Sequence, residues 1–170
     1  KFMKLPREVL STAMRVHQKY FSITDEENNL VSKFLFVANS VKNKNRDLRI
    51  IKGNERVLKA RLSDASYFFE KDISNTFENW NEKLKHVMFY ESLGSLHDKT
   101  IRMANISKYF AKSFDVKSEL AKQAALLSKA DLVSEMVMEF PELQGIMGGH
   151  YAKIKNKSEE VSKAIFEHYK

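Results

Sequence analysis

The dipeptide His97-Asp98, in the string GSLHDKT, stands between His86 upstream and Asp131 downstream. Imidazole and carboxylate groups in that assortment are what hold divalent metals in hydrolytic centres. The dipeptide is weak as a signal, because it follows Gly94 at the opening of a helix. There an Asp favours the positive end of the helix dipole, so a surface His beside an early-turn Asp explains the pair without a metal. Asp131 raises a sharper question. In KADLVSEMVMEFPELQG, residues 129–145, a continuous helix would place Leu120, Leu127, Asp131 and Met138 on one stripe. An ionised carboxylate on such apolar ground is costly unless it coordinates a metal, pairs with a cation or caps backbone donors. Pairing is the favoured option. Arg61 shares a helix face with Val57 and Phe68, and a guanidinium fork readily finds a carboxylate. Arg61 and Asp131 are therefore expected as polar members of the core, with no particular carboxylate assigned to Arg61. Glu135 and Glu139 read as a solvated edge.

A second kind of chemistry is suggested by charge. With 29 Lys+Arg against 22 Asp+Glu the formal charge is +7, which favours partners carrying negative charge, nucleic acid first among them. Lys52, Arg56 and Lys59 form a basic ridge, and Lys99 and Arg102 open a later helix. Such cations can straddle phosphates, although on spacing a solvated amphipathic face explains them equally well. Phe68, Phe69, Phe89 and Phe110 fit core stripes better than base-stacking platforms. Gly145, Gly148 and Gly149 lack the spacing of a phosphate loop. No catalytic Ser/His/Asp arrangement follows from sequence order. The absence of cysteine excludes disulfides and thiolate metal sites, and no apolar run approaches the roughly 18 residues that span a bilayer.

These residues need elements to position them. At 170 residues the chain fits one ordinary domain with a small appendage. Two prolines and five glycines are what a mainly helical chain contains. Pro6 suits the first turn of a helix through Arg7–Tyr20. The runs Tyr20–Thr24 and Leu30–Ala38 flank DEENN and predict a β-hairpin. The polar stretch NSVKNKNRD follows as a seam, dividing the chain into an N-terminal α/β element, 1–45, and a helical domain, 46–170. From Gly53 onward helices are expected, with Leu58, Leu62, Ala65 and Phe69 on one stripe. Later helices are predicted over Phe77–Leu93, Leu96–Phe114, Lys117–Phe140, Leu143–Ile154 and Ser158–Tyr169. The start, KFMKLPREVL, reads as the cut end of a longer protein.

Several strings together resemble one family. LPREVLSTAMRVHQKYF, IKGNERVLKARLSDASYFFEKD, EKLKHVMFYESLGSLHDKT, LLSKADLVSEMVMEFPELQGIMGGHYA and AIFEHYK are similar to the β subunit of bacterial heterotetrameric glycyl-tRNA synthetase, across essentially the whole chain. The resemblance implies an enzyme of two α and two β subunits. In it the α subunit joins glycine, ATP and the tRNA end with Mg as metal, while β binds tRNA(Gly) and supports assembly. It implies a cytoplasmic protein with no membrane partner, and an anticodon-binding module beyond Lys170. It also implies that 46–170 is an HD-like multi-helix domain in which Ser128, Lys129, Ala130 and Asp131 stand where HD hydrolases carry metal ligands. The imidazole is missing there, so a fragment without catalytic residues, metal or cofactor of its own is expected. The candidate RNA contacts remain Lys52, Arg56, Lys59, Lys99 and Arg102. The alternative is a metal-dependent HD-type phosphohydrolase.

Overall fold

Pro6 precedes helix α1, Arg7–Thr12, and its fixed φ suits the entry to the first turn. The helix then widens into a π-helical turn, Ala13–His17, and ends before Lys19, whose φ of 57° turns the chain. The computed structural model describes residues 1–39 and 44–170, in two compact units, Lys1–Phe69 and Glu70–Lys170. The expected seam falls partly on residues 40–43, outside the described residues.

In the first unit, strands β1, Phe21–Thr24, and β2, Leu30–Leu35, pair antiparallel, as the two runs flanking DEENN predict. The loop closes through Asp25, whose side chain accepts from the Asn29 N–H at 2.8 Å, and through Asn28 at a φ of 65°. Tyr20 stacks near Phe34 and donates its hydroxyl proton to Asn54 Oδ1. Asn54 lies on helix α2, Lys44–Ile73, which runs from the first unit into the second. Leu58, Leu62 and Ala65 of α2 are buried, as their stripe predicts. Leu5, Val9, Leu10, Ala13 and Met14 are buried in the same unit.

The second unit is helical apart from one small hairpin. Helix α3, Phe77–Leu84, is capped by Thr76, whose hydroxyl accepts from the Asn79 N–H at 3.1 Å. It stops nine residues short of the predicted Leu93. The segment Val87–Tyr90 is rich in β-branched and aromatic residues, which favour extended backbone. It enters strand β3, Met88–Tyr90, paired with β4, Gly94–Ser95. Gly94 has a φ of 78°, and a Cβ there would lie 2.5 Å from Asp98 Oδ2, so the turn requires glycine.

Helix α4, Leu96–Ala111, packs on α5, Ser118–Leu127. The single helix expected over Lys117–Phe140 is broken. After α5 come a 3-10 turn, Ala130–Val133, and a short helix α6, Glu135–Glu139. Two serines explain the break: Ser128 Oγ donates to the Ala125 carbonyl, and Ser134 Oγ donates to the Asp131 carbonyl at 2.7 Å while capping α6. The stripe joining Asp131 to Met138 therefore does not exist, and Met138 is 68% exposed.

Pro141 ends α6. Helices α7, Ile146–Ile154, and α8, Glu159–Glu167, then pack against each other. The core gathers Phe77, Trp80, Leu84, Met136, Phe140, Leu143, Met147, Tyr151 and Ile165. Phe89 and Phe110, expected in core stripes, are exposed, because the first sits on the hairpin and the second on the outer face of α4. Phe68 and Phe69 are half-buried. No described helix is long and apolar enough to cross a membrane.

Candidate functional site

Lys52, Arg56 and Lys59 are exposed on α2 within the first unit, beside the buried stripe of Leu58 and Leu62, whose edge Lys59 borders. At about 1.5 Å of rise per residue they cover about 10 Å of helix, which suits contact with successive phosphates of one strand. None of the three has an ion-pair partner among the described residues. Lys99 and Arg102 belong to the second unit and are engaged locally. Lys99 Nζ stands 3.9 Å from the centre of the Phe89 ring, and Arg102 Nη1 donates to the Leu93 carbonyl at 2.9 Å. Both cations thus brace the β3–β4 hairpin against α4.

His97 and Asp98 occupy the first turn of α4. Asp98 completes a capping box with Ser95: the Ser95 N–H donates to Asp98 Oδ2 at 2.8 Å, and the Asp98 N–H donates to Ser95 Oγ at 3.2 Å. The Ser95 N–H and then the Ser95 hydroxyl, both donating to Oδ2 at 2.8 Å, hold the Asp98 carboxyl below its ordinary range. Among the described residues, no three His, Asp or Glu side chains gather closely enough to ligate one metal ion.

Asp131 is fully buried, and of the three options open for it the structure shows backbone capping in place of the favoured ion pair. Its Oδ2 accepts from the Gly145 N–H at 2.6 Å and the Gly148 N–H at 2.9 Å. Those donors belong to the first turn of α7, where backbone N–H groups have no partner within the helix. Gly145 lies at a φ of 78°, and a Cβ on Gly148 would come within 3.0 Å of Asp131 Oδ2. Two glycines therefore let a carboxylate reach the helix end from a different segment. The other oxygen, Oδ1, has no hydrogen-bond partner among the described residues. Burial pushes the Asp131 carboxyl up to about 6 against the pull of the two backbone donors. Arg61, the other expected polar core residue, is half-buried on α2 in the first unit.

The same device recurs at α6. Asp72 is 1% exposed, and it accepts from the Glu135 N–H through Oδ1 and from the Met136 N–H through Oδ2, each at 2.9 Å. Tyr151, fully buried on α7, donates its hydroxyl proton to Asp72 Oδ2 at 2.7 Å. Burial, and then the Asp72 charge, push the Tyr151 phenol far above its ordinary range. Lys71 and Glu135 close the outer edge with an ion pair at 2.6 Å.

Near Asp131 a third polar group completes the centre. Lys129 is 7% exposed, and its Nζ lies 2.8 Å from His168 Nε2 and 3.7 Å from the centre of the Tyr169 ring. His168 Nδ1 donates to the Ile165 carbonyl, so Nε2 accepts from the Lys129 ammonium and the imidazole is neutral. Burial, with Lys99 adding like charge, brings Lys129 down to about 8. Burial likewise lowers His168. Asp72, Lys129, Tyr151 and His168 escaped the sequence reading. Nothing local marks Asp72 or Tyr151, whereas Lys129, set in the apolar string LLSKADL, carried a weak signal as a cation on buried ground.

The chain matches the family model described as "Glycyl-tRNA synthetase beta subunit" over residues 1–170. Among curated relatives it is similar to the "Glycine--tRNA ligase beta subunit" of Rickettsia bellii, at 52% identity over 100% of the chain and 25% of that protein. Proteins of the same name from Lawsonia intracellularis and Coxiella burnetii are each 48% identical over 99% of the chain and 24% of their length. The chain thus spans about a quarter of the length of the curated relatives it matches.

Proposed function

Because this chain belongs to the glycyl-tRNA synthetase beta subunit family, we propose that it serves glycine–tRNA ligation by holding tRNA through its phosphate backbone. The observation that carries this reading is the exposed, unneutralised face Lys52–Arg56–Lys59 on a helix anchored by the buried Leu58 and Leu62. Contacts of this kind read the shape and charge of RNA rather than base sequence, and each neutralised phosphate steepens the dependence on salt. Glycyl transfer, with ATP and Mg, belongs in this reading to an α subunit, which the chain helps to assemble in the cytoplasm. The helical part is taken as an HD-like scaffold. Asp131, at the position where hydrolases of that fold would bind metal, is committed here to the end of α7, and no observation favours the phosphohydrolase alternative.

The test uses the full-length protein together with its α partner. Lys52→Glu, Arg56→Glu and Lys59→Glu combined should weaken tRNA binding at least tenfold and flatten the plot of log affinity against log salt by about two to three contacts, at a slope of about 0.7–0.9 per phosphate. Binding and salt slope identical to the parent protein would remove the ridge from the reading.

A further inference from the structure

A second cationic surface lies in the cleft between α7 and α8, remote in sequence from the ridge. The cleft encloses about 540 Å³. His150 and Lys153 line it from α7, Lys157 from the turn beyond, and Ser162, Lys163 and Phe166 from α8. The spacing 150, 153 and 157 keeps one face of α7 and its exit on the cleft. The spacing 159, 162, 163 and 166 does the same for α8.

The two backbones approach closely at the floor. A Cβ on Gly149 would lie 2.6 Å from Phe166 Cβ and 3.0 Å from the Ser162 carbonyl oxygen, so the floor requires glycine. His150 packs edge-on against the Phe166 ring, with centroids 5.7 Å apart, which fixes one wall. The turn between the helices is set by Asn156 at a φ of 55° and by the Lys157 N–H donating to the Ala152 carbonyl at 3.0 Å. Lys157 is thereby held at the mouth.

One helix ends here and the next begins, so their dipoles offset and side chains decide the sign of the field. Three lysines face one carboxylate, Glu159. None of the three ammonium groups has an ion-pair partner among the described residues, although Glu160 and Glu167 stand on the same helix. Like charges lining one concave surface repel one another, and that cost is relieved when an anion fills the space.

We propose that the α7–α8 cleft is a phosphate-binding site for a stretch of RNA backbone, held by Lys153, Lys157 and Lys163. The cleft is open to solvent and has room for a phosphodiester with its flanking riboses. Lysine ammonium groups, as mobile point charges, suit phosphate oxygens without fixing a base. The proposal rests on the reading of the chain as a tRNA-binding element and adds where a second length of the strand is held.

The experiment is lysine footprinting of the full-length protein with its α partner. An amine-acylating reagent is applied with and without tRNA, and with inorganic phosphate as a separate arm, and each lysine is read by mass spectrometry. We expect tRNA to protect Lys153, Lys157 and Lys163 at least threefold, and phosphate at matched ionic strength to protect them far less. The triple variant Lys153→Gln, Lys157→Gln and Lys163→Gln changes only the cleft's mouth and walls. It should lower the salt slope of tRNA binding while the ridge lysines stay protected. Unchanged reactivity of the three lysines while tRNA binds and protects the ridge would overturn the cleft and leave the broader reading standing. Equal protection by inorganic phosphate would overturn the RNA assignment in favour of a free-phosphate site. Failure of the parent protein to bind tRNA would overturn both.

Discussion

Asp131 and Gly145 stand fourteen residues apart and are joined by a 2.6 Å hydrogen bond from the glycine N–H to the carboxylate. With the matching bond from Gly148, a buried side chain serves as the cap that α7 lacks in its own sequence, where Gly145 precedes Ile146. Asp131→Ala would orphan two buried donors, at about 1–3 kcal/mol for each group. We expect a total loss of about 2–6 kcal/mol, checked by denaturant unfolding. Asp131→Asn keeps one acceptor oxygen and should lose less than half as much.

The glycines on the other side of that contact are equally constrained. Gly148→Ala would bring a methyl to 2.8 Å from Ile165 Cγ2 as well as against Asp131. Overpacking of this kind costs about 1–3 kcal/mol. Gly145→Ala adds the strain of a φ of 78° and a contact 2.8 Å from Tyr169 Cδ2. Thermal unfolding should show Gly53→Ala, where nothing lies within 4 Å of the added methyl, to be neutral or stabilising by comparison.

Asp131 and Lys129 give opposite pH signatures. The folded state raises the Asp131 carboxyl from 3.8 to about 6, so it binds the proton more tightly than the unfolded chain does. Its contribution is fully present below the unfolded value and is lost as pH rises from about 4 to about 6, by about 3 kcal/mol. Lys129 falls from 10.5 to about 8, so the unfolded chain holds that proton more tightly, and stability rises with pH across that interval. Stability measured against pH should lose the first slope in Asp131→Asn and the second in Lys129→Met. Retention of both slopes in both variants would place the titrations elsewhere.

Asp72 and Tyr151 should prove coupled. Tyr151→Phe removes one donor from Asp72 and costs about 1 kcal/mol, while Asp72→Ala orphans two N–H groups and the phenol and costs about 3–5 kcal/mol. The double variant should be less destabilised than the sum, because each change removes the same bond. Strict additivity in a double-mutant cycle would contradict the 2.7 Å contact.

The fold was legible wherever local chemistry agreed with tertiary packing. Pro6, the hairpin around DEENN and the Leu58–Leu62–Ala65 stripe each carry their own signal, and each is found in place. The break at Ser128 was not legible, since LLSKADLVSEMVME carries no Gly or Pro and most of its residues are good helix formers. Two serine hydroxyls and a capping aspartate 63 residues away from Glu135 decide it. The same break decides Asp131: on a straight helix its carboxylate faces an apolar stripe and calls for a cation, whereas the 3-10 turn brings it to the end of α7. Capping by a residue distant in sequence leaves no local pattern at either end. The basic ridge, by contrast, needed only the helix to be present. Its exposure follows from its place outside the buried stripe of Leu58 and Leu62.

Helix α2 crosses from Phe69 to Glu70 without interruption, although the compact units divide at that bond. That bond lies inside a run of continuous peptide hydrogen bonding. A protease therefore finds no slack chain at the border, and a gene cut there would leave raw carbonyls on one product and bare amides on the other. A cut placed after Ile73 leaves the helix Lys44–Ile73 whole on one product.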